Sequence, residues 1–393
     1  MYIHTFRRTD GQERYLLLDD NEEIVELPTR YACALASRTR YSKKSVVSFL
    51  KTIKYFCAYL KEIKIFGSAT LDEALTTVGS MVVENWFMHQ KMCGLKGTTL
   101  RHRDAVLKRF MDWLTTHEAG KIRSHSDSPY SDGKLKTAPA QRPAPKYLTY
   151  MEVAEFIRQG FHNESERCLA HFLYDTGVRV SEVSRILKND LPVLNSYPDG
   201  VMYFPLLVRG SKGSGGAVKE RYTIISRPML ERILLLHNNW RTYRLAQMNH
   251  KPDTMPVFLN VKGHPITAAA IQKQTYNASK RLSQSSLSQQ RITPHSYRHG
   301  TALSILQSEH RRELLEKLVV CQRALGHASI TTTEHYTRIP APVLARMREL
   351  CSPHDFTERY QEAQYIREQT FKPQRVHTER RGHGKQTRNL FAR

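Results

Sequence analysis

The sequence predicts a mainly α protein with a small antiparallel β-hairpin, an α+β fold that is divided into two principal domains. Amphipathic helical patterns fill residues 42–116 and recur through the second half of the chain. Two strand-like runs, residues 200–209 and 221–226, flank the glycine-rich turn 210–216 and predict the hairpin. Residues 119–146 lose this periodicity and are rich in Ser and Pro, which is typical of a linker.

Local signals divide the chain further. Strand-like runs on either side of the turn Thr9-Asp10-Gly11 predict a short hairpin near the N-terminus. The spacings Thr70-x-x-Glu73 and Thr149-x-x-Glu152 are capping boxes and predict helix starts, and the first of these helices is expected to run toward Gly94. We therefore expect five regions: a β-rich extension at 1–37, a helical domain at 38–118, a linker at 119–146, a second domain at 147–350 and a basic tail at 351–393.

Charge narrows the class of partner. The 393 residues include 60 Lys and Arg against 37 Asp and Glu, which gives a net charge of +23 and a pI of about 9.8. A basic chain of this size is typical of proteins that bind a polyanion, and nucleic acid is the leading candidate. No apolar run approaches the ~20 residues of a membrane span, and no secretory signal is visible. The six cysteines are scattered without a CxxC pattern, so we expect a cytoplasmic protein without disulfides.

The first segment that contains candidate functional residues runs from Tyr174 to Glu182. Gly177 suits the left-handed end of one helix, which places Arg179 at a sharp corner before the next helix. A partly buried arginine needs a counter-charge or an anionic ligand. Arg179 is therefore either a ligand-binding residue or one half of a structural ion pair with Glu182.

The second segment is Thr293-Pro294-His295-Ser-Tyr-Arg298-His299. Proline suits the first turn of a helix, and side chains three positions apart lie on one face, so His295 and Arg298 share the helix N-terminus. An imidazole, a guanidinium and free backbone N–H groups at that end favour a phosphate. The alternative is a zinc site at His295 and His299, although position 296 is Ser where HExxH has its catalytic Glu.

The third segment runs from Leu325-Gly326-His327 to Tyr336. Gly326 is expected to end one helix, and Tyr336 lies about two turns into the next. Taken alone, Tyr336 also fits a packed aromatic residue with a satisfied hydroxyl group.

Together, the three segments resemble the tyrosine recombinases, the lambda-integrase type of site-specific DNA recombinase. The family signature is Arg, Lys, His-x-x-Arg, His or Trp, and Tyr, in that order, and the resemblance covers roughly residues 149–340. It implies that 147–350 is the catalytic domain and that 38–118 is a helical core DNA-binding domain. The matching residues are Arg179, Lys212, His295, Arg298, His327 and Tyr336.

The resemblance implies that the Tyr336 hydroxyl attacks one DNA strand, giving a 3′-phosphotyrosyl bond and a free 5′-hydroxyl. Free tyrosine has a pKa of about 10, so only about one molecule in a thousand is ionised at neutral pH. A nearby base must therefore accept the proton, and His295 is the candidate.

The remaining positions of the signature would stabilise the negative charge on the phosphate and protonate the leaving oxygen. Arg179 and Arg298 would hold the non-bridging phosphate oxygens, and His327 would donate a further hydrogen bond to them. A lysine on the hairpin turn, Lys212, would protonate the leaving oxygen, with Lys219 as the alternative. Glu182 would orient Arg179. This scheme requires no metal, and it needs no ATP because the phosphotyrosine keeps the bond energy.

The implied partners are double-stranded DNA recombination sites, with a homo-tetramer bridging two sites and possible accessory DNA-bending proteins. We expect an enzyme without cofactors in the nucleoid-associated cytoplasm that integrates or excises a mobile element. The alternatives are a Xer-like resolvase of the same family, a type IB topoisomerase-like enzyme, and a non-catalytic DNA-binding protein. The target sequence and the direction of recombination stay open.

Overall fold

The computed structural model describes thirteen ranges and single positions along the chain. They are residues 1–9, 11, 13–38, 41–63, 67, 69–139, 147–210, 220–251, 253–284, 292–308, 321–322, 324–325 and 357–373. These residues belong to two compact units, which divide between Pro143 and Ala144. The mainly α fold with small antiparallel sheets is confirmed. No helix among the described residues is long and apolar enough to cross a membrane.

The described residues of the N-terminal unit form one β-hairpin and five helices. Strands β1 (Tyr2–Arg7) and β2 (Glu13–Leu18) pair antiparallel, with Tyr2 opposite Leu18. The helices are α1 (Glu26–Ala36), α2 (Lys43–Ile63), α3 (Leu71–Thr77), α4 (Ser80–Met92) and α5 (Gly97–Leu114). The expected β-rich extension at 1–37 is therefore only half right, since α1 occupies its second part. Leu27, Tyr31 and Leu35 lie four residues apart and are buried, which is the spacing of a helix face.

One long helix was expected from Thr70 toward Gly94, and the structure has two. The capping box is confirmed: the Thr70 hydroxyl accepts from the Glu73 N–H and the Glu73 carboxylate accepts from the Thr70 N–H. Helix α3 then ends at the buried Val78, and Gly79 caps α4. The break lets Leu75 and Trp86 both face the core.

The segment 119–146 was expected to be a linker, and residues 119–139 instead pack against this unit. The buried Asp104 carboxylate on α5 accepts hydrogen bonds from the Tyr130 hydroxyl at 2.8 Å, the Thr137 N–H at 2.7 Å and the Thr137 hydroxyl at 2.8 Å. Arg123 is also buried and donates to the carbonyls of Leu75 and Val78. Specific buried polar contacts therefore order this segment in place of helical periodicity. Residues 140–146 lie outside the described residues.

The C-terminal unit surrounds a second core with helices and one hairpin. Strands β3 (Tyr203–Arg209) and β4 (Glu220–Ser226) pair antiparallel with Arg209 opposite Glu220, which confirms the predicted hairpin. The capping box at Thr149 and Glu152 is confirmed as well. The helices are α6 (Tyr150–Gly160), α7 (Glu164–Thr176), α8 (Val180–Val183), α9 (Arg227–Asn239), α10 (Arg241–Asn249), α11 (Ala268–Gln284), α12 (Pro294–Ser308) and α13 (Thr357–Thr370).

The expected basic tail at 351–393 contains α13, which packs into the C-terminal unit. Ile366 on this helix is completely buried in the core. At its end, Arg232 is fully buried and forms an ion pair with Glu164 at 2.6 Å, and it donates to the Thr370 hydroxyl at 2.7 Å. The Lys372 N–H also donates to Glu164. Residues 351–356 and 374–393 of the expected tail lie outside the described residues.

We predict that Asp104→Ala lowers the free energy of unfolding of the N-terminal unit by at least about 2 kcal/mol, because three donors lose their acceptor. Urea unfolding followed by tryptophan fluorescence measures this, since Trp86 and Trp113 both lie in this unit. Asp132→Ala removes an exposed carboxylate that pairs with Lys136 and should change stability by less than about 0.5 kcal/mol. Equal effects of the two substitutions would contradict the packed arrangement of 119–139.

Candidate active site

Gly177 is the point where three parts of the site meet. It ends α7 with a φ of 61°, the left-handed conformation expected for this position. A Cβ at Gly177 would lie 2.6 Å from Leu325 Cδ2 and 3.0 Å from Thr301 Cγ2 on α12. No side chain fits in that space, so glycine is required both for its backbone conformation and for this close approach. Arg179 follows and caps the short helix α8.

The ion pair expected as the structural alternative for Arg179 is present. Arg179 Nη1 lies 2.9 Å from Glu182 Oε1, and the Arg179 N–H donates to Glu182 Oε2 at 2.8 Å. Glu182 is only 1% exposed, whereas the Arg179 side chain is 39% exposed. The carboxylate is thus buried beneath a guanidinium that reaches the surface, so the pair also orients Arg179 toward solvent.

A second arginine, Arg221 on β4, also forms an ion pair with Glu182. Its Nη2 lies 3.1 Å from Glu182 Oε2. Burial by itself raises the pKa of Glu182, but the charge of Arg221 and the hydrogen bonds and charge of Arg179 outweigh burial and lower this pKa. Glu182 is therefore an ionised carboxylate held between two cations.

Helix α12 begins at Pro294, as the sequence predicts, and it presents His295 and Arg298 in its first turns. His295 is exposed. Partial desolvation lowers the pKa of His295 first, and the charges of Arg298 and Arg179 lower it further. At neutral pH the imidazole is consequently uncharged and can accept a proton.

Arg298 is buried, with 2% of its surface exposed. Its Nη1 donates to the Gly177 carbonyl at 2.5 Å and its Nη2 donates to the Leu325 carbonyl. The guanidinium therefore joins the Arg179 corner to the segment that leads to His327. These bonds bring parts of all three sequence motifs together around α12.

The zinc alternative rests on His295 and His299, whose ring centroids are 4.3 Å apart in a T-shaped arrangement. Within the described ranges, no group of three or more His, Cys, Asp or Glu side chains is placed to hold a metal ion. The two rings thus stack edge to face at the start of α12.

The base of the predicted lysine turn is fixed by two contacts. Arg185 Nη1 donates to the Gly210 carbonyl at 2.7 Å. Arg209, at the end of β3, pairs with the buried Asp190 at 2.9 Å. The turn itself, with Lys212 and Lys219, lies outside the described residues, as do His327 and Tyr336.

Sequence reasoning missed Arg221 and Thr223 on β4. Arg221 Nη1 donates to the Ala324 carbonyl at 2.8 Å, and the Thr223 hydroxyl donates to the same carbonyl at 3.0 Å. Both residues belong to a strand whose alternation predicts its secondary structure only. Their partners are far away along the chain, so no local signal identifies them.

Comparison with known proteins relates this arrangement to enzymes that recombine DNA. Residues 149–341 match the model of the phage integrase family. Tyrosine recombinase XerC of Listeria welshimeri is 26% identical over 320 residues, which cover 80% of this chain and 93% of the relative. Tyrosine recombinase XerC of Proteus mirabilis is 22% identical over 345 residues, which cover 84% of this chain and 97% of the relative.

Solved structures share the fold. The Tn1549 transposon integrase in complex with transposon right end DNA superimposes with a TM-score of 0.55 at 18% identity, covering 82% of this chain and 98% of the other. A lambda integrase dimer bound to a COC′ core site gives a TM-score of 0.54 at 16% identity, covering 79% of this chain and 93% of the other.

We predict that Arg179→Gln raises the pKa of His295, because one of the two cations that disfavour the imidazolium is removed. NMR titration of the histidine ring signals measures this, with His295→Gln identifying the resonance. Arg227→Gln is the matched control, since Arg227 donates to the carbonyls of Val201 and Pro198 and does not act on His295. A His295 pKa that stays constant or falls in Arg179→Gln would refute the electrostatic coupling.

Proposed function

Because the chain is a tyrosine recombinase of the phage integrase family, we propose that the arrangement around Arg179, His295 and Arg298 is its strand-cleavage site. The enzyme cleaves and rejoins DNA strands at specific sites through a 3′-phosphotyrosyl intermediate. The single observation that carries the assignment is the pair of hydrogen bonds that Arg298 donates to main-chain carbonyls. One goes to Gly177, two residues before Arg179, and the other to Leu325, two residues before His327.

Tyr336 is the proposed nucleophile, and His295 is its proposed base. Tyrosine with a pKa near 10 is a weak nucleophile at neutral pH and needs a neutral proton acceptor close by. The lowered pKa of His295 keeps its ring in the accepting form. The neighbouring cations Arg179 and Arg298 also favour the tyrosinate once the proton has left.

Arg179 and Arg298 are the proposed phosphate ligands. A phosphodiester carries a negative charge that grows in the transition state, and preorganised guanidinium groups stabilise it. Glu182 fixes Arg179, and two backbone carbonyls fix Arg298, so neither side chain has to reorganise when DNA binds. His327 donates a further bond to the phosphate in this proposal.

A lysine from the hairpin turn supplies the proton for the leaving 5′-oxygen in this proposal. Lys212 is the first choice and Lys219 the alternative. The contacts that hold Arg209 and Gly210 support the assignment, because Lys212 follows Gly210 by only two positions and its main chain therefore starts from a held point. No cofactor has a role in these steps.

The N-terminal unit is proposed to grip the DNA backbone. On α2 and α5, basic and aromatic side chains share the surface: the Arg103 guanidinium lies 4.5 Å from the Tyr55 ring centroid, and Arg109 lies 5.4 Å from that of Phe49. Lys44 and Lys51 on α2 are exposed. Such a surface suits phosphate contacts and stacking against nucleotides.

Integration or excision of a mobile element is the proposed biological setting, and the fold shared with a transposon integrase supports it. A Xer-like resolvase is the second candidate, because the XerC relatives match along nine tenths of their length. Either role places the enzyme on the nucleoid. Accessory DNA-bending proteins remain part of the proposal for an integrase.

We predict that the enzyme forms a covalent adduct with DNA in the presence of EDTA and that Tyr336→Phe abolishes it. The substrate carries sites from the flanks of its own gene, nicked near the cleavage point so that the 5′-hydroxyl fragment diffuses away. A protease-sensitive protein–DNA band measures the adduct. Tyr276→Phe, at an exposed tyrosine on α11, is the matched control and keeps the adduct.

Two results would overturn this assignment. An adduct that persists in Tyr336→Phe would place the nucleophile elsewhere, and an adduct that requires a divalent metal would contradict the proposed chemistry. DNA binding without any adduct, also on sites found by selection from random sequences, would favour the non-catalytic binding protein.

Strand exchange joins two duplexes, so we further propose a homo-tetramer on two sites, with residues 340–350 binding a neighbouring subunit. Leu344→Glu is expected to abolish recombination and synapsis while single-site binding and adduct formation persist, because a charge would enter an apolar contact. Gel-shift assays with one and two sites separate these steps. Normal recombination by this variant would eliminate the proposed contact.

A further inference from the structure

We propose that Arg221 is a positioning residue of the cleavage site: it fixes Glu182, and through Glu182 the guanidinium of Arg179, and it also fixes the main chain that leads to His327. The inference rests on the proposed cleavage site and adds to it a residue outside the family signature. Arg221 lies on β4 and reaches its two partners across 39 and 103 positions of the chain.

The first step of the argument concerns the Glu182 carboxylate, whose two oxygens are divided between the arginines. Oε1 accepts from Arg179 Nη1 at 2.9 Å, while Oε2 accepts from the Arg179 N–H at 2.8 Å and from Arg221 Nη2 at 3.1 Å. Both Arg179 contacts come from the residue that Glu182 positions, whereas Arg221 ties the carboxylate to β4, outside the Arg179 corner. The position of the Glu182 carboxylate, and with it the direction of the Arg179 guanidinium, therefore depends on Arg221.

The second step concerns charge. Arg179 and Arg221 are like charges around one carboxylate, so the three groups leave one net positive charge at the corner. Arg179 is the more exposed of the two arginines, at 39% against 16%. The surplus charge is therefore presented mainly at the surface through Arg179, where a phosphodiester would need it.

The third step concerns the segment before His327. The carbonyls of the successive residues Ala324 and Leu325 accept from Arg221 and Thr223 on β4 and from Arg298 on α12. Two guanidinium groups thus hold the main chain two and three residues before His327. Arg221 consequently touches both sides of the site, the Arg179 corner and the approach to His327.

A purely stabilising role does not account for these contacts. Buried ion pairs contribute little net stability, because desolvation offsets the attraction. Arg221 is largely desolvated, and its Nε is buried with no hydrogen-bond partner among the described residues. An unpaired buried donor costs free energy. The geometry of Arg221 is therefore better explained by its orienting Glu182 and the main chain at Ala324 than by a gain in stability.

The experiment measures adduct formation on the nicked substrate as a function of pH for the full-length wild type, Arg221→Met, Arg221→Lys and Glu182→Gln. Arg227→Met is the matched control, because Arg227 directly follows β4 and donates to the backbone carbonyls of Val201 and Pro198. Thermal melting and DNA binding are recorded for each variant. We expect Arg221→Met to slow cleavage on the order of 100-fold, as misplacement of a reacting group does, with DNA binding nearly unchanged.

The pH profile separates positioning from mere stabilisation. Among the described residues, the charges that act on Glu182 are Arg221 and Arg179, while Arg281 of the neighbouring helix α11 binds the Gly160 carbonyl instead. Without Arg221, burial raises the pKa of Glu182, so the carboxyl becomes protonated as the pH falls and releases Arg179. The wild type already loses activity at low pH when His295 is protonated, and in Arg221→Met the protonation of Glu182 should add to this loss, so activity falls off at a higher pH.

The companion variants complete the test. Arg221→Lys keeps the charge and should recover most of the rate and the wild-type pH profile. Glu182→Gln should be slow without the additional acidic loss. Adding Arg221→Met to Glu182→Gln should slow cleavage by a smaller factor than Arg221→Met slows the wild type, because only the contact with the Ala324 carbonyl is then left to lose. If Arg221→Met does not fold, Arg221→Gln, which removes the charge but keeps a hydrogen-bond donor, replaces it both alone and combined with Glu182→Gln.

Several results would overturn the inference. These are equal slowing by Arg221→Met and Arg227→Met, an unshifted pH profile, and additive effects of the Glu182 and Arg221 substitutions. Failure of the wild type itself to form the adduct would instead refute the proposed function, so the two failures are distinguishable.

Discussion

The site depends on a buried cation that is satisfied by main-chain carbonyls. Arg298 is bonded to Gly177 and Leu325, residues that are distant in sequence, and a glycine is required at 177 because no Cβ fits against Leu325. A guanidinium is planar and offers donors in a fixed fork, which suits it to hold two carbonyls at a set separation. The described side chains Arg179 and His295 are placed relative to these bonds, since Arg179 lies two residues after Gly177 and His295 lies one turn before Arg298.

The hydrogen bonds of Arg298 also explain how a few basic residues can lie close together. Arg179, Arg221 and Arg298 repel one another, and only Glu182 offsets that charge among the described contacts. The repulsion is tolerated because backbone carbonyls and one ionised carboxylate hold the three side chains. A phosphodiester would then complete the charge balance, so binding energy from the substrate is used where negative charge develops.

Local patterns predicted much of this arrangement, and remote contacts account for what they missed. The capping boxes at Thr70 and Thr149 and the helix at Pro294 depend on neighbours within four residues, so they are visible in the sequence. Arg221 has its partners 39 or more positions away, and Asp104 bonds Thr137 across 33 positions. Periodicity does not encode such contacts, which is why residues 119–139 and 357–370 were expected to lie outside the packed domains. The roles of Lys212, His327 and Tyr336 rest on the family signature alone.

The docking of α13 affects how the protein is made. Arg232 and Glu164 form a fully buried pair, and besides a contact of Arg232 with His171 Nδ1 at 3.2 Å the pair is bonded to Thr370 and Lys372. A chain emerging from the ribosome supplies Thr370 and Lys372 some two hundred residues after Glu164, and until then the pair lacks these hydrogen-bond partners. The core of the C-terminal unit is therefore completed only after α13 has been synthesised, so this unit cannot finish folding while the segment up to Thr370 is still being made.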